Sequence, residues 1–295
     1  MPELPDVELY VEHLRRRLAG ARFQGARIRS PNLLRTVDPP LPAAFGLEVR
    51  EVRRIGKRIV FGLEGSRALV LHLMIAGRLQ WKAVGAKLPG RIGLAGFDFS
   101  SGTLLLTEAS TRQRASLHVV DGAAALGALD PGGLEVLEAG EAEFRSALTR
   151  ENHTLKRALT DPRFLSGIGN AYSDEILHRA RLSPLQLTSR LDEPEFHRLF
   201  EAARTTLTEW TERLRRESGD EFPRKVTAFR EGMAVHGRWK QPCPDCGAPV
   251  QRIVYAEHET NYCARCQTGG RLLADRARSR LLREDWPRTL EELEG

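Results

Sequence analysis

Cys243-Pro-Asp-Cys246 and Cys263-Ala-Arg-Cys266 each set two thiols one tight turn apart, and residues 247–262 separate the two pairs. Two such knuckles at the ends of a hairpin can bring four thiolates to the corners of a tetrahedron, which is the ligand set of a closed zinc site. With all four ligands supplied by sulfur, no position is left for water or substrate. The metal this pattern predicts is therefore one structural zinc ion, held by Cys243, Cys246, Cys263 and Cys266, whose binding helps a small hairpin to fold. Two disulfides or a redox pair would not need such symmetry.

A second candidate is the N-terminus. Pro2 follows Met1, and removal of Met1, expected before so small a residue, exposes a secondary amine. An α-amino group titrates near 8, so part of it is neutral and nucleophilic at physiological pH. Attack on a sugar C1′ gives an iminium directly, the Schiff-base chemistry usually assigned to lysine. Glu3 is placed to protonate the opening sugar ring and to accept protons afterwards. Lysines are scarce: Lys57, Lys82, Lys87, Lys156, Lys225 and Lys240 are all of them, which limits the alternative amines. A third candidate is Gly167-Ile168-Gly169-Asn170, a tight turn between helical segments. Asn170 suits the N-cap of the next helix, and free N–H groups there can hold an anion.

These groups need elements to position them. Residues 5–19 read as a helix, with Pro5 in its first turn and Val7, Val11, Leu14 and Leu18 on one apolar stripe. From Phe23 to about Val120 the texture is short strands, including 59–63, 68–71, 94–99 and 104–107, with Ser101-Gly102 as a hairpin signal. That half reads as a β-sandwich or barrel with one leading helix. Asp130-Pro131-Gly132-Gly133 breaks the pattern. Beyond it, helices are expected over 144–159, 172–180 and 193–216. Strands and turns return around the cysteines, and residues 285–295 form an acidic tail expected to end in a short helix. The expected organisation is α+β and multidomain: 1–130 a β-sandwich, 131–143 a linker, 144–240 a helical domain, 241–270 the zinc finger, and 271–295 a tail.

The chain has 295 residues, is 41% hydrophobic and carries a net charge of +6, mostly from arginine. That content rules out a wholly disordered protein, and the basic balance favours a polyanionic partner. No basic segment followed by an apolar run opens the sequence, and no stretch approaches the roughly 20 apolar residues of a membrane span. A cytoplasmic, nucleoid-associated protein with no membrane partner is expected.

Taken together, Met1-Pro2-Glu3-Leu4-Pro5-Asp6-Val7-Glu8, Gly167 to Glu175, and Cys243 to Gln267 resemble the formamidopyrimidine-DNA glycosylase (Fpg) and endonuclease VIII family in order and separation. Arg54-Ile55-Gly56-Lys57 and His72-Leu73 with Gly77 fit as well, so the resemblance spans nearly the whole chain. It implies a β-sandwich that carries the catalytic proline, and a helix–two-turn–helix domain with a zinc finger. It implies DNA glycosylase and abasic-site lyase activity in base excision repair, on oxidised or ring-opened bases, through a Schiff base on Pro2 and β/δ-elimination. Pro2, Glu3 and Lys57 are the implied catalytic residues. His72, Asn170, Arg112, Lys156 and His258 are the implied DNA-binding residues. Damaged DNA, duplex or single-stranded, is the implied partner, bound by a monomer. Extruding the damaged nucleotide leaves a gap that inserted side chains fill.

Three departures from the family mark this chain as a divergent member. His258 stands where the family has an arginine, between Glu257 and Glu259. The stretch Thr107 to Ser116 has arginines but no aromatic wedge, which leaves Met74 or Ile75 as the gap-filling candidates. The Gly-rich segment that covers the damaged base is not recognisable in residues 218–238. Altered damage choice follows as an expectation. The competing readings are a catalytically silent binder of damaged DNA, disfavoured by intact Pro2 and Glu3, and a zinc-ribbon interaction module, disfavoured by the basic balance.

Overall fold

The computed structural model describes residues 1–223, 226–227, 229–255, 258–274 and 287–294. Its internal contacts divide the chain into two compact units, Met1–Pro131 with Trp210–Thr227, and Gly132–Glu209 with Ala228–Gly295.

The first unit opens with helix α1 (Leu4–Leu18). Pro5 lies in its first turn, where a missing N–H costs nothing, and the Asp6 carboxylate accepts the Glu3 backbone N–H at 2.9 Å. Leu4, Val7, Tyr10, Val11, Leu14 and Leu18 are buried, so the apolar stripe expected from the sequence is the face that packs. Eight strands follow: β1 (Phe23–Ile28), β2 (Val49–Ile55), β3 (Arg58–Leu63), β4 (Arg67–His72), β5 (Gly77–Lys82), β6 (Gly93–Phe99), β7 (Gly102–Glu108) and β8 (Ser116–Asp121). They form two four-stranded sheets, ordered β1-β6-β7-β5 and β2-β3-β4-β8, antiparallel throughout. Of the sandwich or barrel expected from the run of short strands, this is the sandwich.

Alternation decides which face is which. Ile59, Phe61, Leu69, Leu71, Leu117 and Val119 join Phe23, Phe97, Phe99, Leu104 and Leu106 in the main core. The residues between them, Val60, Ala68, Val70 and Val120, face the other way and pack with Leu126 and Leu129. Leu126 belongs to α2 (Gly122–Gly127), a short helix that the sequence reading did not foresee, because a glycine-flanked alanine run carries no periodic apolar signal. Phe222 and Val226 also join the main core, and the Phe222 ring lies 5.6 Å from that of Tyr10. Trp210–Thr227 thus groups with the sandwich, although the sequence reading assigned it to the helical domain.

The second unit holds α3 (Glu141–Leu148), α4 (Leu155–Thr160), α5 (Asn170–Ala180) and most of α6 (Glu193–Ser218). The single helix expected over 144–159 is two. Between them the backbone pairs instead with residues 186–188: Leu155 N–H donates to Gln186 O at 2.8 Å, and Thr188 N–H to His153 O at 2.8 Å. The Asn152 side chain accepts from Ser189 N–H at 3.3 Å, a local competition that interrupts a helix. Strands β9 (Gln251–Tyr255) and β10 (His258–Tyr262) pair antiparallel and lead into α7 (Ala264–Thr268). A small core of Val235, Ala248, Val250, Tyr262, Leu272, Leu273 and Leu290 closes around the cysteines. Leu290 begins α8 (Leu290–Glu294), the short helix expected in the tail, of which Asp285 and Trp286 lie outside the described residues. No described helix is long and apolar enough to cross a membrane.

Candidate active site and metal centre

The start of α1 and the β2–β3 turn meet at the N-terminal amine. Pro2 is buried and Glu3 is 2% exposed. The Met1 amine titrates below its usual value of 8.0. Burial is the first cause, and Arg78 and Lys57 push in the same direction against Glu3 and Asp6. The amine therefore has two carboxylates and two cations around it. Gly56, at φ 57°, makes the tight turn that presents Lys57 between β2 and β3. Arg54 secures this arrangement, with its Nε donating to Glu8 Oε2 at 2.9 Å. Arg78, at the start of β5, was not singled out from the sequence, and only its place one residue after Gly77 could have pointed to it. Its Nη1 donates to Gly77 O at 2.7 Å, so the guanidinium is held at the strand entry.

His72 ends β4 and pairs with Arg58 on one side and Ser116 on the other. Burial, and then Arg58, Lys57 and His118, push its pKa down to about 4, so it is a neutral imidazole at pH 7. The loop that follows is tight. Gly77 N–H donates to Leu73 O at 2.9 Å, Met74 takes φ 51°, and Ile75 is 52% exposed. A left-handed methionine is backbone strain of the kind that collects at working sites. The loop after β7 is pinned differently. Glu108, 2% exposed, accepts the backbone N–H groups of Arg114 and Ala115, each near 3 Å. Thr111, Arg112 and Gln113 are thereby displayed to solvent.

In the second unit, polar groups of α5 are buried and bonded. Gly169, not Asn170, is the N-cap of α5, one position earlier than the sequence suggested, and Asn170 is its first helical residue. Extended φ/ψ at Gly169 carries the turn, which frees the Asn170 side chain to donate to Glu259 O on β10 at 2.8 Å. Lys156, on α4, does not present its ammonium to solvent. Nζ donates to Asn170 O at 2.7 Å, to Ser173 Oγ at 2.8 Å, and to Asp174 Oδ1. Asp174, fully buried, also contacts His236 Nδ1 at 2.8 Å and accepts Asn261 N–H at 3.2 Å. Glu175 accepts the backbone N–H groups of Ala234, Val235 and His236 at 2.6, 2.9 and 2.9 Å. The sequence reading missed Asp174, Glu175 and His236 as a bonded set, because their partners are distant in sequence. His258 opens β10, with its backbone opposite Tyr255, and Glu257 lies outside the described residues.

The four cysteine sulfurs lie within 4.8 Å of one another. Sγ–Sγ distances are 3.9 Å for Cys243–Cys266 and 3.4 Å for Cys246–Cys263. A tetrahedron with Zn–S near 2.3 Å needs sulfurs roughly 3.8 Å apart. The residues fit one structural zinc, as the spacing predicted. His178, buried on α5, sets Nε2 3.3 Å from Cys243 Sγ, where it can donate to a zinc-bound thiolate and tie the metal centre to the helix.

Comparison with known proteins agrees with this architecture. Residues 1–118 match the formamidopyrimidine-DNA glycosylase N-terminal domain, residues 133–218 its H2TH domain, and residues 240–269 the zinc finger found in FPG and IleRS. A formamidopyrimidine-DNA glycosylase of Heliobacterium modesticaldum is 33% identical over 280 residues, covering 90% of this chain and 100% of that protein. The crystal structure of MutM (Fpg) from Thermus thermophilus superposes with a TM-score of 0.75 at 33% identity, over 90% of this chain and 98% of that one. A Lactococcus lactis FPG mutant in complex with Fapy-dG containing DNA gives a TM-score of 0.79 at 24% identity, over 90% and 100% of the two chains, a likeness of fold.

Proposed function

The chain belongs to the formamidopyrimidine-DNA glycosylase family and is a DNA glycosylase of base excision repair, and we propose that it couples base removal to strand cleavage through a Schiff base on Pro2. The observation that carries the reading is the setting of the N-terminal amine beside Glu3, Asp6, Lys57 and Arg78. Burial and two cations favour the neutral form of the Met1 amine, and removal of Met1 would leave the Pro2 nitrogen as the terminal amine beside the same groups.

In the proposed sequence, the Pro2 nitrogen bonds to C1′ as the C1′–base bond breaks, and the base leaves with a proton. The C1′–O4′ bond then opens to the iminium, and O4′ takes a proton drawn from solvent and relayed by Glu3. The Glu3 carboxylate takes the C2′ proton as the C3′–O bond breaks and the 3′ phosphate leaves, and loss of the C4′ proton to the same base breaks the C5′–O bond and releases the 5′ phosphate. Water hydrolyses the remaining iminium and frees the amine. Lys57, Arg78 and neutral His72 supply donors for the phosphates, and Asn170 orients the zinc hairpin. Zinc holds that hairpin and takes no part in the bond changes. Damaged DNA, duplex or single-stranded, is the proposed partner of a monomer acting at the nucleoid of the cytoplasm.

Borohydride trapping on DNA with a single abasic site tests this reading. A covalent adduct is expected from protein lacking Met1, and none from a form that keeps it. Absence of an adduct from the processed protein, with DNA still bound, would sink the lyase step and leave a silent binder of damaged DNA.

A further inference from the structure

Arg58 lies just beyond Lys57, at the first position of β3, and its setting is unusual for a cation. Burial lowers its pKa, with Asp130 the only acid that pulls against this. Among the described residues no carboxylate comes within ion-pair distance of its guanidinium, and no acceptor within hydrogen-bond distance. Its side chain is half-buried, and none of its nitrogens is sealed from solvent without a partner, so the guanidinium stays open to an acceptor that a ligand supplies.

The sheet shows what stands beside it. Arg58 pairs with His72, and His72 with Ser116, in one row across β3, β4 and β8. Directly opposed residues of adjacent strands project from the same face about 5 Å apart. The row therefore holds a guanidinium, an imidazole and a hydroxyl side by side. Two residues along the same face, toward α2, the surface turns apolar with Val60, Val70, Val120, Leu126 and Leu129. His118 borders the row, and its Nδ1 is buried without a hydrogen-bond partner. Burial, Arg58 and Arg35 hold this imidazole below its usual pKa. Arg35 reaches the region on an exposed segment bonded to β8 through its backbone N–H and Leu117 O at 2.8 Å. Among the described residues, the charged groups that act on His72 and His118 are the cations Arg58, Lys57 and Arg35, and Asp130 is the acid that acts on Arg58.

We propose that Arg58, with Ser116 and His72 in the same row, forms a second phosphate subsite that binds the phosphodiester neighbouring the one at Lys57. The ligand is a monoanionic backbone phosphate with two free oxygens, both within the span of the planar guanidinium, with the imidazole and hydroxyl as further donors to the same oxygens. A planar fork fits two oxygens where an ammonium would meet one. The apolar surface under α2 bounds the row on one side, so the strand path leads from Lys57 across β4 to β8. The inference rests on the DNA glycosylase reading and adds to it a named contact.

The test is fluorescence anisotropy of the zinc-loaded full chain with an abasic-analogue duplex, over a salt series. Neutralising a phosphate contact lowers the slope of log affinity against log salt by about one. Arg58→Gln is expected to lower the slope by about one and to weaken binding several-fold at low salt. Ser116→Ala is expected to weaken binding without changing the slope. Arg58→Lys should keep the slope and lose part of the affinity, which separates a lost charge from a misfolded sheet. An Arg58→Gln variant with unaltered slope and affinity, beside wild type that binds with salt dependence, overturns the subsite and leaves the glycosylase reading intact. Wild type with no salt-dependent DNA affinity overturns that reading, and the subsite with it.

Discussion

The side-chain amide of Asn170 donates to the main-chain carbonyl of Glu259 at 2.8 Å, so the first residue of α5 holds the second strand of the zinc hairpin. Glu259 in turn is fixed from its own side chain, which accepts from Asn261 Nδ2 at 2.8 Å and from Arg252 at 3.1 Å. The Arg252 guanidinium lies 3.5 Å over the Trp239 ring. Helix start, hairpin and the segment leading into it form one bonded unit, and the position of β10 depends on both the helix and the metal.

Zinc removal should therefore act well beyond the four cysteines. A strong chelator is expected to release one zinc per chain and expose four thiols. Protection from hydrogen exchange should fall in β9 and β10 and in residues 234–237, because a structural zinc contributes folding free energy directly. Mass-resolved exchange before and after chelation checks this. Protection that survives metal loss would show that the Asn170 and Glu175 contacts hold the hairpin without it.

Lys156 should behave as a structural cation. Its side chain is 12% exposed and its partner Asp174 fully buried. Removing one member of such a pair strands the other charge, at a cost of about 3–5 kcal/mol. Lys156→Met is expected to lower the urea midpoint of the second unit accordingly, and Lys156→Met with Asp174→Asn should recover much of the loss. A single-variant loss below about 1 kcal/mol would show that water screens the pair.

How legible was this in the sequence? Local signals carried well. The C-x2-C knuckles predicted the sulfur cluster, short apolar runs between turns predicted strands of the sandwich, and the Val7-Val11-Leu14-Leu18 stripe predicted the buried face of α1. What failed to show was pairing at a distance. Lys156 reads as surface charge until α5 folds Asp174 against it, and Glu175 reads as a helix carboxylate until residues 234–236 wrap over it. The 144–159 helix broke for the same reason, since its partners at 186–188 come later in the chain. Arg78 carried no motif and entered the site through strand register.

Two buried histidines set a pH dependence of stability. His13 and His72 are each pushed to about 4, from an unfolded value near 6.5. Burial is the first cause in both, followed by Arg16 and Arg17 for His13 and by Arg58 and Lys57 for His72. Between those values the unfolded chain binds protons that the folded chain does not, so stability rises with pH there. Their contribution is complete above about pH 7, falls as pH drops below 6.5, and is exhausted below about 4. Urea midpoints measured from pH 7.5 to 4.5 should decline. The His13→Gln/His72→Gln double variant should decline less steeply. Parallel profiles would place the acid sensitivity elsewhere.

Gly77→Ala should separate base extrusion from lyase chemistry. A Cβ at Gly77 would lie 2.3 Å from Leu73 O, a contact with rigid backbone that cannot persist. The Leu73–Gly77 turn would have to open, and Met74 would lose the left-handed conformation that now presents Ile75 to solvent. Nothing in that change touches Glu3 or Lys57 directly. If Met74 and Ile75 fill the gap left by an extruded nucleotide, the variant should lose about tenfold or more in excising a damaged base from duplex DNA. Borohydride trapping on a single-stranded abasic site, which needs no extrusion, should stay within about twofold of wild type. Equal loss on both substrates would mean that the turn supports the N-terminal amine, through Arg78, and not the gap. Equal retention on both would take the wedge role away from this loop and return it to the exposed Thr111–Gln113 segment held by Glu108.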